Sequence, residues 1–388
     1  MKIRRAIFGI SWILSLVAIS FYGGTVSYGL FFGLTLLPLV SLIYIYFVWY
    51  FYKIYQEIGS RNIVCGQPVP YYFVLQNEDW FAFAGIRILF FSDFSYVEEL
   101  PEEIEYELLP GENYRYETSI VCKYRGEYDV GVKEVVISDF LGLFTFKSVV
   151  KETKKVIVAP KLIKINELQS ISDISAMMQR ETLRLATEMD TVTREYSQGD
   201  ALKQIHWKAT AREQKLISRK MIGEEKQGVA LFFDTERYEE NPREYLPIEN
   251  RILETVLALA LFLSEKNIPV TAYCSQGEIR ENNLNHVGDM EDFYREISAI
   301  RFDKKEEVQG SMDTVLQKGL LMDKLVVFFV LHKMDYEILE MTRQLTENKV
   351  IVVFYVITGQ DMESFCMMSD MNRRIIAITP EEKLEEAL

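Results

Sequence analysis

The sequence predicts a chain of three parts with different chemistry: two N-terminal transmembrane helices, an antiparallel β-sandwich, and a doubly wound α/β domain. Three observations predict it. No charged side chain occurs from Ala6 to Tyr52, short runs of alternating polar and apolar residues fill positions 61 to about 160, and unbroken apolar runs alternate with amphipathic ones from Gly228 onward. The boundaries read as 1–58 for the hairpin, 59–160 for the sandwich, 161–227 for a connector and 228–388 for the α/β domain.

A single helix over residues 6–52 would be about 70 Å long, against a bilayer core of about 30 Å. The glycine-bearing break FYGGTVSYG, Phe21 to Gly29, therefore reads as a turn between two spans, roughly Ile7 to Phe21 and Leu30 to Tyr52. Lys2, Arg4 and Arg5 precede the hairpin and Lys53 and Arg61 follow it. The positive-inside rule then puts both ends and the rest of the chain in the cytoplasm, anchored to the plasma membrane with the lipid bilayer as first partner. A cleaved signal peptide is the competing reading of MKIRRAIFGISWILSLVAIS, but no A-x-A site follows it. Cys65, Cys122, Cys274 and Cys366 lie far apart with no C-x-x-C pair, so they read as reduced thiols rather than zinc ligands.

In the sandwich, runs such as VPYYFVLQ, GIRILFF, EIEYELL and KEVVIS are separated by NED, PGEN and YRGEYDVG, which predicts roughly seven strands. The connector is rich in Ser, Met, Glu and Leu without a period. Beyond it, VALFFD, VTAYCS, KLVVFFVLH and VIVVFYVIT are continuous β runs, and IENRILETVLALALFLSEKN and YEILEMTRQLTENK are helical. Such strands describe a parallel sheet buried on both faces. The net charge of −14 and the absence of a basic stripe exclude non-specific nucleic-acid binding. No P-loop G-x-x-x-x-G-K-[ST] is present.

One stretch gathers polar chemistry: REYSQGDALKQIHWKATAR, residues 194–212. Leu202 and Ile205 recur at helical spacing after Asp200, so Asp200 is the expected N-cap, Gly199 the turn before it, and LISRKM a following strand. On this reading Trp207 pins the helix by its ring, Arg194 and Arg212 clamp carboxylates, and the stretch is a structural clasp. The catalytic alternative makes His206 a general base oriented by Asp200 or Glu195, with Ser197 as nucleophile. His206 lies nearly two helical turns beyond Asp200, too far for a direct hydrogen bond within one helix, so the clasp is preferred.

RG-x-Y-x-VG at Arg125 to Gly131, DFLGLF at Asp139 to Phe144, and the signature at Arg194, Tyr196, Gly199, Asp200, Ile205, Trp207, Ala211 and Arg212 together resemble the bacterial domain of unknown function 58 family. Lys203 stands where that family often has Arg, which keeps the charge but not the guanidinium fork. The resemblance implies a von Willebrand factor A-like C-terminal domain. It further implies work with a MoxR-type AAA+ ATPase, and an association with a transglutaminase-like membrane protein.

Von Willebrand A domains that bind ligands through a metal use a D-x-S-x-S loop after the first strand. Here that loop reads DTERY, with Glu236 and Tyr238 where hydroxyls are expected, and VLHKMD stands where a later loop should supply a Ser/Thr-Asp pair. Asp234, Thr235 and Glu236 therefore form a candidate binding crevice, with no metal and no cofactor expected; Glu236 or Asp335 would be partial substitutes as ligands. The function these readings imply is a membrane-anchored cytoplasmic scaffold or adaptor in protein assembly or maturation. A hydrolase or transferase built on His206 and Asp200, and metal-dependent ligand binding at Asp234, are the alternatives.

Overall fold

The computed structural model describes residues 2–60, 62–100, 104–150, 152–168, 193–195, 207–213, 215–219, 228–276, 278–304, 308–359, 362–370 and 372–388, and the structural statements below concern those residues. The chain divides into two compact units, Met1–Lys161 and Leu162–Leu388.

The first unit opens with α1 (Lys2–Tyr22) and α2 (Thr25–Phe51), two helices long and apolar enough to cross a membrane. The turn between them is shorter than the nine-residue break in the sequence suggests. Gly23, at φ +46°, takes the left-handed step that glycine tolerates, and the helix resumes at Thr25.

Eleven strands follow, against the roughly seven expected: β1 (Lys53–Ile58), β2 (Asn62–Val64), β3 (Pro68–Gln76), β4 (Phe83–Phe90), β5 (Ser95–Val97), β6 (Glu105–Leu108), β7 (Asn113–Cys122), β8 (Gly126–Val130), β9 (Val132–Ser138), β10 (Thr145–Val149) and β11 (Lys154–Ala159). They form sheets in the orders β1-β3-β7-β5, β10-β9-β4-β6 and β2-β11-β8. The pairing is antiparallel except between β11 and β2. Three-residue strands such as β2 and β5 are too short to show an alternation, which is why the sequence undercounts them. Where a strand is long the period is plain: Val69, Tyr71, Phe73 and Leu75 of β3 are buried and their neighbours are not. Ile45 and Val48 of α2 belong to the same core as these strand residues.

The second unit contains a pair of short strands, β12 (Thr193–Glu195) and β13 (Ile217–Arg219), with α3 (Trp207–Glu213) between them in sequence. Then come β14 (Val229–Phe233), β15 (Glu236–Arg237), α4 (Pro242–Glu265), β16 (Val270–Gln276), β17 (Glu278–Leu284), α5 (Asp289–Ala299), β18 (Asp303–Lys304) and α6 (Val308–Gln317). The chain ends through β19 (Val326–Leu331), α7 (Tyr336–Met341), α8 (Arg343–Glu347), β20 (Ile351–Ile357), α9 (Glu363–Cys366), β21 (Arg373–Ile378) and α10 (Leu384–Ala387). Six strands form one sheet in the order β17-β16-β14-β19-β20-β21, parallel except for β17.

Both faces of this sheet are covered. Val229, Leu231 and Phe233 of β14 enter one core with α4, whereas Ala230 and Phe232 enter the other with Met312 and Leu345. Each fully buried Leu or Phe contributes roughly 1.5–3 kcal/mol of transfer free energy, so the uninterrupted apolar strands need both layers. Asn241 caps α4 through its side chain, which accepts from the Arg243 N–H at 3.1 Å, and Pro242 occupies the first turn. YEILEMTRQLTENK, read from sequence as one helix, is broken at Thr342. The fully buried Thr342 hydroxyl bonds back to the carbonyls of Ile338 and Leu339 at 2.9 and 3.2 Å, an alternative partner for backbone groups that bends helices. Ile163, Ile165 and Leu168 at the start of the unit, and Leu384 and Leu388 at its end, pack into the α4 core.

Asn77, fully buried, closes the loop between β3 and β4. Its amide donates to the carbonyls of Phe81, Leu108 and Leu109 at 2.8, 3.1 and 3.1 Å, and its carbonyl accepts the Asp79 N–H at 3.0 Å. Asn77→Ala strands the buried Leu108 carbonyl and takes a donor from the part-buried carbonyls of Phe81 and Leu109, and is expected to destabilise the first unit by about 1–3 kcal/mol. Denaturant unfolding followed by near-ultraviolet circular dichroism checks this; an unchanged midpoint would mean that water replaces the amide at no cost.

Candidate functional site

Strand order determines where polar chemistry can gather. A parallel strand buried on both faces offers polar groups a place only at its ends, and in open α/β sheets ligands bind at the carboxyl ends where the order of strands reverses. Here β16 and β17 lie to one side of β14, and β19, β20 and β21 to the other, so the reversal falls between β14 and β19. Asp234 follows β14 directly and His332 follows β19.

Asp234 and Thr235 are buried, at 3% and 2% exposure, and Glu236 is half-buried. Both carboxylate oxygens of Asp234 are used inside the protein. Oδ1 accepts the Glu236 N–H at 2.8 Å, and Oδ2 accepts the Tyr238 hydroxyl at 3.0 Å. The backbone N–H of His332 also donates to this carboxylate, and the Asp234 N–H donates to the Val330 carbonyl at 3.0 Å. Burial pushes the Asp234 carboxyl up to about 6, and the donated hydrogen bonds limit the rise. Burial, then the neighbouring Asp234 and Glu236 charges, raises the Tyr238 phenol well above its ordinary value, so it stays a donor.

His332 completes the cluster. Its ring lies 5.0 Å from that of Tyr238, centroid to centroid, and Nδ1 is 3.1 Å from the Ile357 carbonyl at the end of β20. A carbonyl only accepts, so Nδ1 carries the proton and Nε2 is the acceptor of the neutral ring. Beside this group, Arg237 binds Glu249 of α4 through two bonds of 2.6 and 3.1 Å, and its guanidinium lies 3.8 Å over the Tyr245 ring. That pair fixes β15, whose Glu236 N–H holds Asp234.

Of the two residues named as partial substitutes for metal ligands, Asp335 has Oδ1 engaged in a helix cap: it accepts the Ile338 N–H of α7 at 3.0 Å. Among the described residues no group of three His, Cys, Asp or Glu side chains is placed to hold a metal ion. Tyr238 and His332 were missed as site members by sequence reasoning. Tyr238 was read as a departure from a serine pattern, although its hydroxyl reaches the same carboxylate from four residues away. His332 carried a signal in its position, immediately after a continuous apolar strand.

The 194–212 stretch is placed in part. Arg194 sits in β12 opposite Ser218 of β13. Trp207 starts α3, and Arg212 in its last turn is exposed. Tyr196, Ser197, Gly199, Asp200, Ile205 and His206 lie outside the described residues. The helix is tied to the strand after it through Thr210, whose hydroxyl accepts the Ile217 N–H at 3.1 Å, with Ile217 buried. Thr210→Val removes that acceptor and is expected to cost about 1 kcal/mol in thermal or denaturant unfolding, with no loss if water substitutes.

The Asp234 pKa has a consequence for stability. Between the ordinary value of 3.8 and about 6 the folded state binds the proton that the unfolded state releases. This group's stabilising contribution is therefore complete below about pH 4 and is lost as pH rises through about 6, a difference of at most about 3 kcal/mol. Unfolding midpoints measured from pH 4 to 7 are expected to fall less steeply in Asp234→Asn than in the wild type. In Tyr238→Phe, which lacks a donor to the carboxylate, the window should extend to higher pH. Equal slopes in all three proteins would contradict the assignment.

No curated protein matches this chain. Solved structures give remote likenesses: a Salmonella alpha-2-macroglobulin variant at 14% identity, over 29% of this chain and 7% of that one, with a TM-score of 0.22. An exo-β-N-acetylglucosaminidase of family GH20 from Vibrio harveyi follows at 8% identity, over 84% and 81%, with a TM-score of 0.19. A Bacteroides uniformis β-glucuronidase is similar at 12% identity, over 83% and 39%, with a TM-score of 0.15. Likenesses this weak carry no conclusion about fold or activity. Residues 192–284, a segment that includes β12, α3 and the Asp234 loop, match the family described as Protein of unknown function DUF58.

Proposed function

We propose that this chain is a membrane-anchored scaffold or adaptor that presents the strand-order reversal at Asp234, Tyr238 and His332 to a protein partner. A MoxR-type AAA+ ATPase is the partner that the family resemblance implies, with a transglutaminase-like membrane protein as a further associate and protein assembly or maturation as the process. On this reading the two apolar helices span the plasma membrane of a bacterium and everything after them faces the cytoplasm. The first unit is then a β-sandwich and the second a von Willebrand A-like domain. Counted among its own six strands, the sheet order β17-β16-β14-β19-β20-β21 is 3-2-1-4-5-6, which supports a doubly wound reading.

The observation that carries the adaptor reading is the internal satisfaction of Asp234. A carboxylate whose two oxygens are held by the Glu236 N–H and the Tyr238 hydroxyl shapes a surface, where a metal ligand or a base needs a free lone pair aimed outward. Asp335, spent on a helix cap, weakens metal-dependent binding further.

Affinity purification of the tagged full-length protein from its native membrane, with mass spectrometry of what accompanies it, tests the proposal. Lys333→Glu reverses an exposed charge next to His332 and leaves the buried carboxylate intact. The adaptor reading expects an AAA+ ATPase with the wild type and at least about a tenfold smaller yield with Lys333→Glu, the effect of roughly 1.4 kcal/mol lost at an interface. Absence of any ATPase from crosslinked wild-type membranes would overturn it. So would turnover of a nucleotide, ester or peptide substrate by the purified protein alone.

A further inference from the structure

The first unit carries an aromatic surface that neither its core nor the proposed partner face uses. Helix α2 has 27 residues and is about 40 Å long, whereas a bilayer core is about 30 Å thick. Two contacts show where the excess lies. Arg5 Nε, near the start of α1, donates to the Leu143 carbonyl at 2.7 Å, and the Phe140 ring of the same β9–β10 loop meets Tyr44 of α2 edge-on at 5.8 Å. One loop thus touches both helices, at the level of Arg5 on α1 and of Tyr44 on α2. Residues 25–43 cover about 28 Å, enough for the hydrocarbon, and the stretch from Tyr44 to Phe51 extends about 12 Å beyond it.

That extension is built into the β-domain. The Tyr44 hydroxyl donates to the Ala82 carbonyl at 3.1 Å and accepts the Ala84 N–H at 2.8 Å, which ties the β3–β4 loop to the same level. Phe81 of that loop packs on Tyr44, Phe47 and Phe51. Gly142, at φ +68°, lets the β9–β10 loop lie against Arg4, since a side chain there would come within 2.7 Å of the guanidinium. Beside these anchored residues, Trp80 is 87% exposed and Phe140 52%, and Phe146, which packs edge-on against Trp49 at 5.6 Å, is 41% exposed. Glu78, on the Trp80 loop, is paired with Lys53 at 2.5 Å.

We infer that Trp80, Phe140 and Phe146 seat the β-domain in the interfacial layer of the bilayer, with the occupant of this surface being the lipid headgroup and upper acyl region. The argument rests on continuity. The exposed rings flank a helix segment that leaves the hydrocarbon at Tyr44, amphipathic aromatic rings favour that layer, and Arg4 and Arg5 occupy the same level as phosphate-seeking cations. The β-domain then has a fixed height and tilt on the membrane, set by loops from two sheets rather than by a flexible linker. β1 begins at Lys53, directly after α2, as this requires.

The inference rests on the two helices being membrane spans, and the test separates the two ideas. Full-length wild type and Trp80→Phe are reconstituted into phosphatidylcholine vesicles, with and without lipid brominated near the headgroup end of the acyl chain. The difference between their emission spectra is the Trp80 signal, and that signal is expected to lose most of its intensity to bromolipid and to resist aqueous acrylamide. If the emission of Trp80→Phe, which keeps Trp12, Trp49 and Trp207, is partly quenched by bromolipid while the Trp80 signal is not, the seat is wrong and the spans stand. If no tryptophan is quenched, both are wrong. Phe140→Trp in the Trp80→Phe background reads the second loop independently and is expected to behave as Trp80 does; acrylamide quenching without bromolipid quenching there would overturn the inference for that loop.

Discussion

The first unit depends on the burial of the end of α2 among β-strands. A helix in the interior of a bilayer gains nothing by hiding apolar side chains, because lipid is as apolar as they are. At the end of α2 the surroundings are protein, and Ile45 and Val48 are buried with Phe73, Phe83 and Ile86 instead of meeting water. Tyr44 marks the change of surroundings: its ring is surrounded by aromatic neighbours and its hydroxyl has a donor and an acceptor in the β3–β4 loop. The first sheet grows directly from this anchor, since β1 begins one residue after the helix cap.

In the second unit the governing constraint is a sheet with no exposed face. Strands such as Val229–Phe233 and Val326–Leu331 consist wholly of buried residues, so polar chemistry is pushed to their carboxyl ends. Asp234 is the first polar residue after its strand, and burial there would be costly without partners. The Glu236 N–H, the His332 N–H and the Tyr238 hydroxyl supply them, drawing the β14 and β19 loops together where the strand order reverses. A raised carboxyl pKa is the residue of that compromise, because three donors offset desolvation only in part.

Much of this was legible one dimension at a time. The uncharged stretch from Ala6 to Tyr52 and the unbroken β runs identify two helices and a buried sheet, since burial in lipid or between two helical layers permits little else. Edge strands were harder to read: EIRENNL of β17 is polar and β21 is mixed, and each has a neighbouring strand on one side only. The Asp234 loop was located from sequence, whereas the Tyr238 hydrogen bond to it was not, because the loop was compared position by position with a serine template. The tyrosine hydroxyl donates to the Asp234 carboxylate at 3.0 Å. His332 could not be assigned to the site from sequence, because nearly a hundred residues separate it from Asp234 and only the adjacency of β14 and β19 brings them together.

The sequence by itself determined the hydropathy of each segment, because hydropathy and its period depend only on which residues follow one another: two helices apolar enough to cross a membrane within residues 6–52, alternating strands after them, and continuous apolar strands beyond Gly228. Thr342 and Gly23 likewise acted locally, breaking a helix and shortening a turn by hydrogen bonding and backbone conformation. The tertiary structure alone decided which ends meet. Strand order sets the reversal between β14 and β19, and loop height sets the meeting of Tyr44, Phe140 and Arg5. Both are long-range pairings whose free energy comes from contacts between segments distant in the chain, and no local pattern of residues encodes them.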